Sequence, residues 1–166
     1  EENVREIKVA VLDSGILLTH EAFKNKTVAD RIDTTSVDKN GKKLAYNYVD
    51  SNEDISDDQG HGTMTAGIIA ESTSDNVKIV PVKIGNRENG IKVSDSLKAI
   101  RNISDYVDVI NMSYGSDLSS SNEYMQIYDE LLESVQSKGV VIVGAAGNDA
   151  TNYNGTHYPA DSPYAI

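Results

Sequence analysis

Four short apolar runs recur along the chain, and small or polar residues follow each of them. They cover residues 7–12, 77–83, 107–113 and 140–143. Runs this short and this continuously apolar are typical of strands that are covered on both faces, as in parallel sheets. Segments with helical spacing lie between them. The sequence therefore predicts an α/β fold with a doubly wound, mainly parallel sheet and helices on both faces.

Apolar spacing and end signals define two of the predicted helices. Ser94 or Asp95 is the predicted N-cap of the first, and Gly139 is the predicted stop of the second, which covers about residues 124–138. Pro81, inside the run at 77–83, predicts an edge strand or an irregularity because proline has no backbone N–H. The expected apolar stripes are Leu97, Ile100 and Ile103 in the first helix, and Ile127, Leu131 and Val135 in the second.

Composition limits the partners that the chain is expected to have. The 166 residues suit a single domain, and the net charge of −11 disfavours nucleic acid and anionic membranes. No apolar run approaches the roughly 18 residues of a membrane span, and the absence of cysteine excludes thiol chemistry. Residues 158–166 read as the approach to another strand, so we expect the sheet to be incomplete at the C-terminus.

A histidine between two glycines is the most informative local feature. His61 lies between Gly60 and Gly62 and directly precedes a segment with small and then apolar residues at helical spacing. Glycine permits a sharp turn and a close approach of another element. The pattern places one imidazole at the start of a buried helix.

Four polar residues are predicted to meet at one edge of the sheet. Asp13, Ser113 and Asn148 follow strands, and His61 begins a helix. A carboxylate beside an imidazole fixes its tautomer and stabilises the imidazolium, as a general base in acyl transfer requires. An amide can donate to a developing oxyanion. Taken singly, Asp13 is more often a turn cap in such a position, and Asn148 is more often a turn residue.

Together these segments resemble the subtilisin-like serine proteases, or subtilases. The resemblance extends from about residue 7 to residue 166, and the order of aspartate before histidine is that of the subtilisin triad. The similar segments are Val-Ala-Val-Leu-Asp-Ser-Gly-Ile (9–16), Gly-His-Gly-Thr (60–63), Val-Ile-Asn-Met-Ser-Tyr-Gly (109–115), Val-Ile-Val-Gly-Ala-Ala-Gly-Asn (141–148) and Tyr-Pro-Ala (158–160).

The resemblance implies a role for each matching residue. Asp13 would orient the base, His61 would be the general base, and Asn148 would donate to the oxyanion. Ser113 and Gly115 would pair with the substrate backbone as an added strand. The implied specificity pocket has Tyr114 on one side and, on the other, Ala145, Ala146 and Gly147.

The family's nucleophilic serine is missing from the sequence. It lies in a Gly-Thr-Ser-x-Ala type of segment, and no serine of this chain has that context. Residues 1–166 are therefore interpreted as the N-terminal part of a single subtilase catalytic domain, inactive alone. The serine would lie on a separate co-folding chain or on a part removed by truncation. The alternative is a non-catalytic relative that binds peptides or partner proteins.

The resemblance also implies partners and a compartment. We expect a peptide or protein substrate, a complementary C-terminal chain that carries the serine, and a pro-segment inhibitor. The family favours secretion or display on a bacterial cell surface, although an intracellular location also fits. The weaker alternative is a nucleotide-binding domain. Its glycine-rich phosphate-binding motifs, G-x-G-x-x-G and G-x-x-x-x-G-K-[ST], do not occur at a strand-to-helix turn of this sequence.

An acidic loop before His61 is a candidate calcium site. Asp50, Asp54 and Asp57 are the candidate ligands, since Ca²⁺ binds several carboxylate and carbonyl oxygens. A solvated acidic loop is the alternative. We interpret His20 as structural and His157 as structural or exposed.

Overall fold

The computed structural model describes residues 4–118, 123–148 and 156–166. Its helices are α1 (Lys26–Ala29), α2 (His61–Ser72), α3 (Val93–Ile103) and α4 (Glu123–Ser137), with a 3₁₀ turn at Glu21–Lys24. Its strands are β1 (Ile7–Asp13), β2 (Tyr46–Asn47), β3 (Val77–Lys83), β4 (Gly85–Asn86), β5 (Gly90–Ile91), β6 (Val109–Met112), β7 (Ser116–Leu118), β8 (Val141–Gly144) and β9 (Thr156–Tyr158).

A five-stranded parallel sheet has the order β2-β3-β1-β6-β8. In chain order, β2 and β3 are added on one side of β1, and β6 and β8 are then added on the other side. The direction in which strands are added therefore reverses between β1 and β6. Such a reversal opens a crevice at the carboxyl ends of the strands. Asp13 is the last residue of β1 and therefore lies at this crevice. The predicted α/β fold is confirmed.

The two faces of the sheet bury different residues of the same strand. Val9 and Val11 of β1 pack with Ala66 and Ala70 of α2 on one face. Ala10 and Leu12 lie in the larger cluster on the other face, which includes buried residues of α3 and α4. This alternation explains why residues 9–12 of β1 are all apolar, because both faces of the strand are covered.

Pro81 lies in β3, between two backbone hydrogen bonds that the strand makes on the side facing away from β1. Ile79 donates a backbone hydrogen bond to Arg31 O, and Lys83 O accepts one from Tyr48 N. Odd-numbered residues of β3 thus direct their backbone polar groups away from β1. The missing N–H of Pro81 falls between these two bonds, so the predicted irregularity is confirmed.

Two helical details differ from the sequence predictions. Helix α3 begins at Val93, and its N-cap is Lys92, which makes no side-chain capping bond; the predicted caps are wrong. In α4 the buried residues are Tyr128, Leu132 and Val135, whereas Ile127 is 42% exposed. The buried side of α4 therefore has Tyr128 and Leu132 in place of the predicted Ile127 and Leu131, while Val135 belongs to both stripes.

Two small antiparallel pairs lie outside the main sheet. Strand β4 pairs with β5, and β7 pairs with β9, which brings Asp117 directly opposite His157. Ile166 donates to Ile142 O and accepts from Gly144 N, so it extends the ladder beyond β8. Among the described helices, none combines the length and apolarity that a membrane crossing requires.

Candidate active site

Asp13 and His61 form an ion-pair geometry at the carboxyl end of β1. Nδ1 of His61 lies 2.9 Å from each carboxylate oxygen of Asp13. The Asp13 side chain is only 4% exposed, while that of His61 is 43% exposed. Ser14 N donates to Asp13 Oδ1 at 2.7 Å. A carboxylate at Nδ1 selects the tautomer with its proton there, which leaves the Nε2 lone pair to act as a base.

Two glycines allow α2 to approach β1 closely. A Cβ on Gly62 would lie 2.2 Å from Gly15 O, and a Cβ on Gly15 would lie 2.3 Å from Ile55 O. Gly15 also has φ +99°, a left-handed conformation that favours glycine. Ser14 Oγ accepts the Gly62 N–H at 2.9 Å. The backbone around His61 is therefore packed directly against the strand end that carries Asp13.

Asp57 anchors the start of α2. Its carboxylate accepts backbone hydrogen bonds from Gln59, Gly60 and Thr63, and a fourth from the Thr63 hydroxyl. Burial alone would raise the pKa of Asp57, but these bonds, led by that of the Thr63 hydroxyl, lower it to about 2. The hydroxyl of Thr63 also accepts the Leu17 N–H at 3.0 Å. The loop before His61 is thus tied to the first turn of its helix.

Arg31 anchors the other end of α2, a role that the sequence analysis missed. It is 3% exposed. Its guanidinium donates to the carbonyl oxygens of Ala70, Thr73 and Val77 and to the Thr73 hydroxyl. A cation at a helix C-terminus also complements the helix dipole.

The two segments predicted to line the substrate cleft leave neighbouring strands. Met112 of β6 pairs with Gly144 of β8, so residues 113–115 and 145–147 extend side by side from the same edge of the sheet. Ser113 Oγ accepts from Asn111 Nδ2 at 2.8 Å. Asn148 follows Gly147, which has φ +85°, and is exposed beyond the end of β8.

Tyr114 combines a buried hydroxyl with a place in a cavity wall. Its hydroxyl lies 2.5 Å from Ser96 Oγ, which also accepts from the Tyr128 hydroxyl at 3.0 Å. Burial raises the pKa of Tyr114 well above its usual range. A cavity of about 260 Å³ opens beside it, lined by Ser14, Gly85, Asn86, Ile91, Val93, Gly115 and Tyr158 among others.

The three candidate calcium ligands are not gathered into a metal site. Within residues 4–118, 123–148 and 156–166 no group of three acidic or histidine side chains is placed to hold a metal. Asp50 accepts from Asn47 Nδ2 at 3.0 Å, and Asp54 accepts from Ser56 N at 3.0 Å. Asp57 already accepts its four bonds. These carboxylates accept hydrogen bonds within the loop, and calcium binding by this set stays a prediction.

The other two histidines have distinct surroundings. His20 Nδ1 accepts from Ala22 N at 3.2 Å and caps the 3₁₀ turn, in agreement with its structural interpretation. His157 lies in β9, where its Nδ1 is 2.9 Å from Asp117 Oδ1 and its side chain is 13% exposed. Of the two interpretations, structural or exposed, the structural one holds, because the ring is largely buried and lies beside Gly115 and Gly147.

Serine hydrolases place a general base and its orienting carboxylate in the relation that His61 and Asp13 show. The chain belongs to the subtilase family, whose model matches residues 4–166. It is 34% identical over 177 residues to the cell wall-associated protease of Bacillus subtilis strain 168, covering 100% of this chain and 17% of that protein. It is 33% identical over 174 residues to the major intracellular serine protease of the same strain, covering 94% of this chain and 48% of that protein.

Solved structures agree with this assignment. The crystal structure of a lanthipeptide protease superposes with a TM-score of 0.75 at 25% identity, covering 96% of this chain and 47% of that one. A cold adapted subtilisin-like serine proteinase gives a TM-score of 0.67 at 24% identity, covering 98% and 54%, and shows the fold alone. The chain spans between 17% and 54% of the length of these four proteins.

Proposed function

We propose that the chain is the N-terminal part of the catalytic domain of a subtilisin-like serine endopeptidase. It contributes the orienting aspartate, the general base and the oxyanion donor, and the nucleophilic serine lies outside residues 1–166. The observation that carries this proposal is the position of His61 Nδ1, 2.9 Å from both oxygens of a buried carboxylate. In the described residues no serine hydroxyl is bonded to His61.

The proposed reaction is acyl transfer from a peptide bond. His61 Nε2 takes the proton of the serine hydroxyl as its oxygen attacks the substrate carbonyl carbon. Asp13 stabilises the imidazolium without accepting its proton, and Asn148 donates to the carbonyl oxygen as that oxygen becomes negative. His61 then protonates the departing amine. Water, deprotonated by the same imidazole, releases the acyl group and regenerates the serine.

The substrate is proposed to be an extended peptide. Residues 113–115 follow β6 at the open edge beside Asp13, where an added strand can pair with their backbone. The proposed partners are this peptide, a polypeptide that carries the serine, and a pro-segment inhibitor. Calcium binding by Asp50, Asp54 and Asp57 stays a prediction, which a thermal melt with and without Ca²⁺ would test.

Native and denaturing mass spectra of the protein from its natural source provide the test. We expect the serine to be found either on a non-covalent partner or on a continuation of the same polypeptide. A fluorophosphonate probe should label that serine, and mutation of His61 to alanine should abolish labelling. A single mass ending at Ile166 with no labelling would contradict the proposal and favour the peptide-binding alternative.

A further inference from the structure

Lys83, the last residue of β3, is a buried cation beside the candidate active site. It is only 6% exposed, and it pairs in register with Asp13, the last residue of β1. Val11 and Ile79 of these strands lie in the cluster on the α2 face of the sheet. Because side chains alternate along a strand, those of Asp13 and Lys83 point to the same face. A positive charge is therefore buried in the strand next to the carboxylate that holds His61.

The ammonium group of Lys83 binds the loop that precedes His61. Its Nζ donates to Ser56 O, and Asp58 Oδ1 lies 3.4 Å from it. These two residues flank Asp57, whose carboxylate accepts the backbone bonds that hold the start of α2. One side chain of β3 thus holds the segment that leads into the general base.

Backbone contacts also hold this loop against the turn after β1. Ile16 N donates to Ile55 O at 2.8 Å. Ser56 O lies 3.2 Å from the position of a Cβ on Gly15. The loop is therefore held on two sides, by this turn and by Lys83, and a shift of the loop would move the start of α2.

The ion pair between Lys83 and Asp58 adds little to stability. Its N–O separation is 3.4 Å, and the Asp58 side chain is 50% exposed. A pair of this kind scarcely offsets the cost of burying an ammonium group, and an apolar side chain of the same length would avoid that cost. What the ammonium group supplies is a hydrogen-bond donor at a fixed position for the carbonyl oxygen of Ser56.

We propose that Lys83 is a positioning residue for the general base. Its hydrogen bond to Ser56 O fixes the loop before α2, and the loop fixes the ring of His61 against Asp13. The inference rests on the proposed function for the role of His61. Lys83 touches neither the substrate nor the reacting atoms, so it acts on the reaction through the geometry of the base.

The test replaces Lys83 with methionine in the serine-containing protein, because Lys83→Met keeps the length of the side chain and removes the donor. Reaction with a fluorophosphonate probe separates binding of the probe from attack by the serine. The labelling rate at saturating probe should fall by about tenfold to 100-fold, and the half-saturating concentration should change by less than about twofold, since a base displaced by about 1 Å loses rate and not affinity. The ¹H and ¹⁵N signals of His61 Nδ1–H should shift. The urea midpoint should stay at its wild-type value, because the exposed carboxylate of Asp58 keeps its hydration.

Lys78→Met is the matched control in the same strand. Lys78 Nζ also donates to a backbone carbonyl oxygen, that of Asp30, at 2.9 Å. Lys78 pairs with Lys8 near the amino end of β1, away from the loop before His61. Its replacement should leave both the labelling rate and the His61 signals unchanged.

Three results would overturn the proposal: a wild-type labelling rate in Lys83→Met, an equal loss of rate in Lys78→Met, or a Lys83→Met protein that no longer folds, since Lys83 would then be a structural residue. A scalar coupling between Lys83 Nζ and the carbonyl carbon of Ser56 tests the hydrogen bond in the wild-type protein, and its absence would overturn the proposal as well. Absence of labelling in the wild-type protein would instead count against the proposed function, so the two failures are distinguishable.

Discussion

The carbonyl oxygen of Gly15 lies 2.2 Å from the point where a Cβ atom on Gly62 would be placed. This contact joins the turn after β1 to the first turn of α2. Asp13 lies two residues before Gly15, and His61 directly precedes Gly62. The glycine contact and the His61–Asp13 bond are therefore parts of one close approach. A change at Gly62 therefore affects the site and the fold together.

Replacing Gly62 with alanine should destabilise the protein by about 1–3 kcal/mol, since overpacking against backbone forces a shift of the main chain. The separation of His61 from Asp13 should increase as well. Urea unfolding measures the first effect, and the ¹⁵N shifts of the His61 ring report the second.

Gly67→Ala is the matched control in the same helix. Nothing lies within 4 Å of a Cβ at Gly67. Alanine in a helix interior should therefore stabilise the protein by about 0.5–1 kcal/mol. Equal destabilisation by the two substitutions would contradict the importance of the Gly15 contact.

Asp57 should make the stability of the protein pH-dependent in the acid range. Its pKa is about 2 in the folded chain, against an ordinary value of 3.8. A lowered pKa means that the stabilisation is fully present above the ordinary value and is lost as the pH falls through 4 toward 2. We expect a loss of about 1–2 kcal/mol, with allowance for partial solvent exposure.

Asp57→Asn should lower the free energy of unfolding at pH 7 and flatten its dependence on pH in this window. The amide nitrogen cannot accept the bonds that Thr63 donates to Oδ2. Asp30→Asn, on the exposed residue after α1, is the control and should leave the pH profile unchanged. A wild-type slope retained in Asp57→Asn would contradict the assignment.

The residues around Asp13 and His61 were predictable because short segments specify them. A continuous apolar run identifies β1, and Asp13 directly follows it. The glycines on either side of His61 predict that another element of the fold packs closely against this segment. Signals of this kind are local in the sequence.

Arg31 and His157 could not be assigned in the same way because their partners are distant in the chain. Arg31 bonds to the carbonyl oxygens of Ala70 and Thr73, 39 and 42 residues away. His157 bonds to Asp117, 40 residues away. Neither lies in a periodic pattern, and only the pairing of β7 with β9 shows why His157 lies opposite Asp117.

The burial of α4 illustrates a third limit. Ile127 and Tyr128 are adjacent, and each is followed by apolar residues at helical spacing. The sequence favours the aliphatic residue, but the structure buries Tyr128, whose hydroxyl donates to buried Ser96. A partner for the hydroxyl offsets the cost of burying it, and propensity alone does not reveal that partner.

Asp13→Asn should preserve the shape of the site and reverse the tautomer of His61. An asparagine can donate its amide N–H to Nδ1, which moves the imidazole proton to Nε2 and removes the base. We expect kcat of the serine-containing protein to fall by about 10⁴, as the same change does in a serine protease triad. The ¹⁵N shifts of His61 check the tautomer, with His20 as the internal reference. An unchanged tautomer would show that Asp13 does not orient the ring.

Asn148→Ala should lower kcat by about 10²–10³, a magnitude measured on subtilisin, which is itself a subtilase. KM should change little, because the amide donates to charge that develops only in the transition state. Asn148→Asp is the matched variant: it keeps the size of the side chain and removes the donor, so it should be at least as impaired.

The free energy of unfolding separates this role from that of a turn residue. Asn148 is exposed beyond the end of β8, and removal of an exposed side chain outside the core should change stability by no more than about 0.5 kcal/mol. If Asn148 only shaped the turn after Gly147, Asn148→Asp would retain activity and Asn148→Ala would lose stability. Loss of kcat in both variants with unchanged unfolding would leave transition-state stabilisation as the function of this amide.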